Sequence, residues 1–349
     1  MFSIRALSAA LLTGAVTLPI SYAVIEDGHS ARLRESLQRA LRRTERHSFE
    51  GTGRVEISGP EGRSMKVRFQ LGQGPRSLNV VEMEKEGRKI PVPRFYRPPH
   101  PTRWLSRLAR DLDLALRNYR LLDAGEESVA GRACLKVRLE GRYGTRPAHT
   151  LWIDRDQHVI LKREVRSTVD SRRMEIAFDQ VNVRPREKTG RDREPRHFPR
   201  AHPGTAGGPL SGFTVEVVDL PNERTMGFSP VDAPRLPHGF VRRKFRGVQV
   251  RLTWPVPRTV TATIASYTDG IEGLTLLQMN TVDLKTVESL IRAHKDREIW
   301  QAITQGGFPR DLIRRGSIAR VEVGKTTLLS AGSIGQGENR ILVSSFLID

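Results

Sequence analysis

Met65-Lys66-Val67-Arg68-Phe69-Gln70-Leu71 alternates without a break: Met65, Val67, Phe69 and Leu71 on one side, Lys66, Arg68 and Gln70 on the other. Side chains of a strand point to opposite faces in turn, so this segment reads as a strand with one apolar and one wet face. It is preceded by Arg54-Val55-Glu56-Ile57 and the turn cluster Gly59-Pro60-Glu61-Gly62. Downstream, Leu135-Lys136-Val137-Arg138-Leu139 and His149-Thr150-Leu151-Trp152-Ile153 repeat the pattern, with Cys134–Leu139 as one strand. Asp154-Arg155-Asp156-Gln157 turns the chain into Val159–Val165, and Met174–Val183 continues the meander. One-sided alternation of this kind predicts an antiparallel sheet whose apolar face must be covered.

Helical spacing supplies the cover. Ala31 to Thr44 places Leu33, Leu37, Ala40, Leu41 and Thr44 on one face, with Arg32, Arg34, Arg39, Arg42, Arg43 and Arg46 over much of the rest. It is read as a helix docked on the sheet with a solvated basic face, rather than a helix on a membrane surface. Trp104 to Asn118 carries Leu105, Leu108, Leu112 and Leu116 at the same spacing, a helix or helix pair against the apolar face.

Arg184 to His202 holds seven Lys or Arg against three acids and almost no apolar residue, followed by Pro203-Gly204 and Gly207-Gly208-Pro209. Such composition cannot offset the entropy of ordering, so 184–209 is expected to be a linker between a first domain, 24–183, and a smaller second one, 210–349. In the second, Phe213–Val218, Val241–Trp254, Val260–Tyr267, Leu274–Met279, Ile318–Val323, Thr326–Ala331 and Arg340–Phe346 read as strands. Leu236-Pro237-His238-Gly239-Phe240 reads as a rigid turn, and Asp269-Gly270 marks a hairpin. Val282 to Gln305 turns helical. The fold class is α+β in both domains.

At 349 residues and a net charge of +19, the chain should be drawn to something anionic. Compartment narrows the choice. Arg5, the uncharged and mostly apolar Ala6–Pro19 run and Ser21-Tyr22-Ala23 form a secretory leader over 1–23. Its cleavage leaves +18 and makes nucleic acid an unsuitable partner. Cys134, the single cysteine, excludes an internal disulfide and cysteine-rich metal sites. Gly324-Lys325-Thr326-Thr327 lacks the first glycine of a phosphate loop, since position 319 is Ala, and it reads as a hairpin turn. Neither ligand-spaced histidines nor a Gly-x-Ser-x-Gly elbow occurs. Glu82, Glu84, Glu86 and Glu126-Glu127 are read as solvated. No catalytic residue, metal ligand or cofactor is assigned.

The run Tyr119-Arg120-Leu121-Leu122-Asp123-Ala124-Gly125-Glu126-Glu127-Ser128-Val129-Ala130-Gly131-Arg132, then Leu151-Trp152-Ile153-Asp154 and Ile160-Leu161-Lys162-Arg163-Glu164, resembles the MucB/RseB family of periplasmic sigma-E regulators. Phe49-Glu50-Gly51-Thr52-Gly53 suits that pattern too, and the turns at Leu236–Phe240 and Tyr267–Gly270 resemble the family's smaller domain. The resemblance implies a LolA-like curved antiparallel half-barrel with helices in its mouth, enclosing an apolar cavity for acyl chains or a peptide. It implies a membrane-anchored anti-sigma factor as partner, shielded from proteolysis and released by anionic lipid or lipopolysaccharide. On the apolar face, Val67, Phe69, Leu71, Val137, Leu139, Leu151 and Ile153 are the candidate ligand contacts. The alternative is a periplasmic lipid or lipoprotein carrier; the segment after the linker, absent from a simple carrier, argues against it. The basic charge and the long Val282–Gln305 segment depart from the family pattern. Mass spectrometry of the mature protein is expected to find its N-terminus at Val24, and an intact Met1 on membrane-embedded protein would overturn the leader.

Overall fold

The computed structural model describes residues 28–60, 63–72, 78–92, 105–168, 171–185, 213–218, 226–252, 257–286, 317–332, 342 and 345–347. The expected leader over 1–23, the expected linker from 186 onward and residues 287–305 of the expected helix lie outside them; 281–286 are helical.

Gly28–Arg46 forms α1, and its buried residues are Leu33, Leu37, Ala40, Leu41 and Thr44, the face read from the sequence. Arg43 and Arg46 in the last turn complement the helix dipole. The three buried leucines contribute about 5–9 kcal/mol of gross burial at ~1.5–3 each. An exposed pair such as Arg39–Glu35, 2.6 Å apart, contributes at most about 1 kcal/mol. The leucines therefore seat α1, and its exposed ion pairs add little.

The chain then runs through His47–Ser58 (β1), Ser64–Leu71 (β2), Leu78–Lys85 (β3) and Arg88–Ile90 (β4). Two short helices follow, Leu105–Arg110 (α2) and Leu112–Asn118 (α3). Tyr119–Val129 (β5), Arg132–Gly141 (β6), Ala148–Asp154 (β7), Ile160–Arg166 (β8) and Arg173–Pro185 (β9) complete an open nine-stranded antiparallel sheet, ordered β4-β3-β2-β1-β9-β8-β7-β6-β5. It is a half-barrel. Because β1 pairs with β9, two hairpin meanders become one sheet, with Val55 opposite Ile176. β3, β4 and β5 were not read from the sequence: Glu82 and Glu84 lie on β3, where Glu82 pairs with Lys89 at 2.6 Å and Arg68 at 3.4 Å. Alternation on β5 is hidden because Leu122 to Ser128 is exposed throughout.

The β7–β8 turn shows how a resemblance motif works. The Asp154 carboxylate accepts the backbone N–H groups of Asp156 (2.8 Å) and Gln157 (3.0 Å) and holds Arg132 at 2.9 Å. On the outer face, Trp152 lies between the ammonium groups of Lys136 and Lys162, 5.1 and 4.3 Å from its ring centre.

A second, six-stranded antiparallel sheet comprises Phe213–Val218 (β10), Val241–Leu252 (β11), Arg258–Thr268 (β12), Gly273–Asn280 (β13), Ser317–Val323 (β14) and Thr326–Gly332 (β15), in the order β10-β11-β12-β13-β15-β14. Gly324, at φ +58°, turns β14 into β15, as the hairpin reading requires. The strand expected over Arg340–Phe346 is corrected: Ser345–Leu347 is a 3-10 helix. Leu342 and Phe346 belong to one buried cluster with Leu274, Leu276 and Leu328; a spacing of four puts them on one face of a strand as well as of a helical turn, so burial alone did not distinguish the two.

Thr44 ties helix to sheet: its hydroxyl donates to the Ala40 carbonyl at 2.7 Å and accepts the Ile160 N–H at 3.0 Å, fully buried. Thr44→Val should cost about 1–3 kcal/mol by leaving the Ile160 donor unsatisfied. Urea denaturation checks this, with Thr44→Ser expected to remain close to the wild type.

Candidate functional site

Strand registry assembles the apolar face. Val137 lies opposite Leu151, Leu151 opposite Arg163, Arg163 opposite Ile176, Ile176 opposite Val55, Val55 opposite Val67 and Val67 opposite Met83. This single row crosses the half-barrel from β6 to β3, apolar except at Arg163. All seven candidate side chains are 2% exposed or less. Val137, Leu139, Leu151 and Ile153 pack beneath α1, α2 and α3 with Leu37, Leu41, Leu105, Leu108 and Ala115. Val67, Phe69 and Leu71 belong to a second cluster with Phe49, Met83 and Phe178. Phe69 meets Phe178 edge-on at 6.2 Å, and Phe178 stacks on Phe49 at 5.6 Å. Gly53 gives the Phe69 ring its room, since a Cβ there would lie 2.6 Å from the ring tip.

Arg163 is the side chain that sequence reading passed over, although alternation with Val165 places it on this face. It stands between the two clusters, and its guanidinium donates to His149 Nδ1 at 3.0 Å.

Two recesses run along α1. One, about 210 Å³, is lined by Glu35, Gln38, Arg39, Arg42, Arg43 and Arg46. The other, about 130 Å³, follows the seam between α1 and the α2–α3 pair, where the core residue Leu41 meets Arg42, Arg110 and Leu112. Arginines dominate the first recess beside Glu35, and Gln38, Ala109 and Asp113 complete the lining of the second.

The second sheet reaches the first through two turns read from the sequence. In the β12–β13 turn, Asp269 accepts the N–H groups of Ile271 (3.0 Å) and Glu272 (2.8 Å) on one carboxylate oxygen. Its other oxygen receives the Tyr119 hydroxyl at 3.0 Å and lies 2.8 Å from Arg146 Nε. The Arg146 contact is off the N–H axis, so it is charge attraction rather than a directed hydrogen bond. Arg146 also donates to the carbonyl of His238. His149 Nε2 lies 2.9 Å from Glu272. Asn118, at the end of α3, sends its amide toward the carbonyls of Leu114, Gly239 and Asp269, each within 3.0 Å. Ile271 joins the leucine cluster under the helices. None of these cross-sheet partners could be paired from sequence, as each lies about a hundred or more positions from its mate.

Burial, ahead of Glu272, pushes the Asp269 carboxyl up to about 6 despite Arg146 and the two N–H groups. Burial also lowers His149, with Arg163 adding to it and Glu272 opposing. The Arg163 donor on Nδ1 leaves the ring neutral with its proton on Nε2, toward Glu272. The two shifts act oppositely. A raised Asp269 stabilises the folded junction below pH 3.8, and that contribution is lost as pH rises through about 6. A lowered His149 stabilises it above about 6.5, and that contribution is lost as pH falls. His149→Gln keeps a donor and an acceptor but does not titrate. Its melting temperature relative to the wild type should therefore rise from pH 7.5 to pH 5; a difference independent of pH would contradict the assignment.

Among curated proteins no sequence matches. Two solved structures with similar folds are MucB in complex with MucA(peri), at 14% identity, TM-score 0.44, covering 88% of this chain and 96% of that one, and the Pseudomonas aeruginosa MucA/MucB complex, at 13%, TM-score 0.44, covering 89% and 97%. The Mycobacterium tuberculosis lipoprotein LppX is similar over 45% of this chain and 98% of its own, at 15% identity and TM-score 0.25. The family model for the MucB/RseB N-terminal domain matches residues 80–196, which include the whole of the Tyr119–Val165 motif. That match spans most of β3 through the end of β9, so this part of the chain is similar to the MucB/RseB N-terminal domain.

Proposed function

We propose that this chain is an exported, non-enzymatic regulator that binds the periplasmic segment of a membrane-anchored anti-sigma factor and limits its proteolysis. The observation that carries this reading is the MucB/RseB domain match over residues 80–196. The periplasm is the compartment in which such a domain meets such a segment. A net charge of +18 on the chain without its leader, +19 less Arg5, favours fast association with an acidic peptide and predicts weakening by salt. The releasing ligand in this reading is an anionic lipid or lipopolysaccharide. The cationic recess of α1 beside the seam at Leu41 supports that ligand class. The same feature would serve a lipid carrier, which remains the second reading.

Titrating the purified chain with the exported segment of the anti-sigma factor encoded beside it separates the two. Binding that weakens as salt rises is expected; no binding rejects the regulator and favours the carrier. For the ligand face, cis-parinaric acid is a fluorescent acyl probe. Phe69→Glu should abolish its binding and Phe69→Ala should weaken it, because Phe69 supplies a large apolar surface in mid-strand. Unchanged binding by either folded variant would remove Phe69 from the site.

A further inference from the structure

The helix α3 serves two structures at once. Its inner side chains Leu112 and Ala115 belong to the leucine cluster that covers β6 and β7. Its ends are gripped by the second sheet. At the front, Asp111 is paired with Arg243 of β11. At the back, Asn118 holds the Gly239 and Asp269 carbonyls. Between the grips the Asp269–Glu272 turn presses directly on the helix: a Cβ on Gly270 would lie 2.6 Å from Ala115 Cα. Gly270 adopts φ +104°, so backbone and space both demand glycine there. Gly239, at φ +79°, is equally close to Asn118, with 2.7 Å from a built Cβ to Cγ.

This contact is charged where a permanent interface would be apolar. Arg146 and His149 on one side, and Asp269 and Glu272 on the other, are at most 7% exposed when seated. Separated, every one of them would be hydrated at once, so the cost of parting is far below that of exposing a leucine core of the same area. The arrangement is firm when assembled and built to come apart.

We propose that α3 is a shared strap: an apolar chain entering beneath it through the α1 seam and release of the second sheet's grip are one linked event. This rests on the apolar-ligand reading above. Lifting α3 to admit a chain under Leu112 and Ala115 draws Asp111 and Asn118 away from their partners, and Ile271 out of the cluster. The junction lets go as a unit because Asn118, Tyr119 and Arg146 all meet Asp269, while His149 meets Glu272 of the same turn. Ligand in the first domain and freedom of the second domain are thereby coupled, and any partner that bridges both domains is weakened on loading.

Two variants break separate grips on the full chain. Gly270→Val wedges the turn off Ala115 without removing any charge, and Arg243→Ala removes the exposed-side pair. Hydrogen exchange of residues 105–118 and 262–279 reports the two sides, and cis-parinaric acid fluorescence reports loading. In the wild type, parinarate should raise exchange in both segments over the same concentration range. Because coupling is reciprocal, each variant should bind parinarate about fivefold or more tightly, the lower end of common couplings. Rising exchange in 105–118 with 262–279 still protected would overturn the linkage, as would wild-type affinity in both variants. If neither the wild type nor the variants bind parinarate, the apolar-ligand reading falls and takes the strap with it. Binding without coupling overturns the strap alone.

Discussion

An open sheet of nine strands with one apolar face has a single overriding requirement, which is to keep water off that face. The row from Val137 through Leu151, Ile176, Val55 and Val67 to Met83 is set by strand registry and cannot be rearranged without flipping whole strands. A closed barrel would bury such a row inside itself. A half-barrel must recruit cover, and here α1, α2 and α3 supply it over β6 and β7. The remaining architecture follows from this. Helices that lie on a sheet as lids, rather than being wound into it, are held mainly by the packing of their side chains.

Arg163 divides that face. A cation in the centre of an apolar row would be costly without partners, and it is carried by His149, which in turn faces Glu272 of the second sheet. The polar chain from Arg163 to Glu272 thus runs from the middle of the apolar face to the junction between the two sheets. Asp269 and Arg146 make a parallel link through Tyr119. The junction is not a strong adhesive, since the desolvation of each charge offsets much of its attraction. What it provides is geometry: the turn seats in one position, because any other leaves buried charge uncompensated.

These features bear on the regulatory binding role proposed for this chain. Control in such a protein must come from linkage, where one ligand alters the population of the state that binds another. A helix shared between the apolar core and the second sheet is a physical element through which such linkage can pass. The basic surface of α1 adds a long-range attraction for anionic partners, and it works before contact, on association, more than after it.

The alternation of Met65–Leu71, Leu135–Leu139 and His149–Ile153 determined an antiparallel sheet with one apolar face, because side-chain direction in a strand depends only on position parity. Leucine spacing determined α1 and the α2–α3 pair for the same kind of local reason, and Asp154, Asp269 and Gly324 announced their turns through chemistry confined to a few residues. The motif between Tyr119 and Val165 carried the resemblance to the MucB/RseB N-terminal domain, whose model matches residues 80–196. Leu342 and Phe346 misled, since a short apolar run has no period long enough to tell a strand from a single helical turn. Tertiary structure alone decided that β1 would pair with β9, dividing the seven candidate face residues between two clusters. It alone brought Asn118, Tyr119, Arg146 and His149 to Asp269 and Glu272, more than a hundred positions away. Local periodicity encodes which way a side chain points; what it meets there is settled by the order in which distant strands and turns assemble around the buried charge.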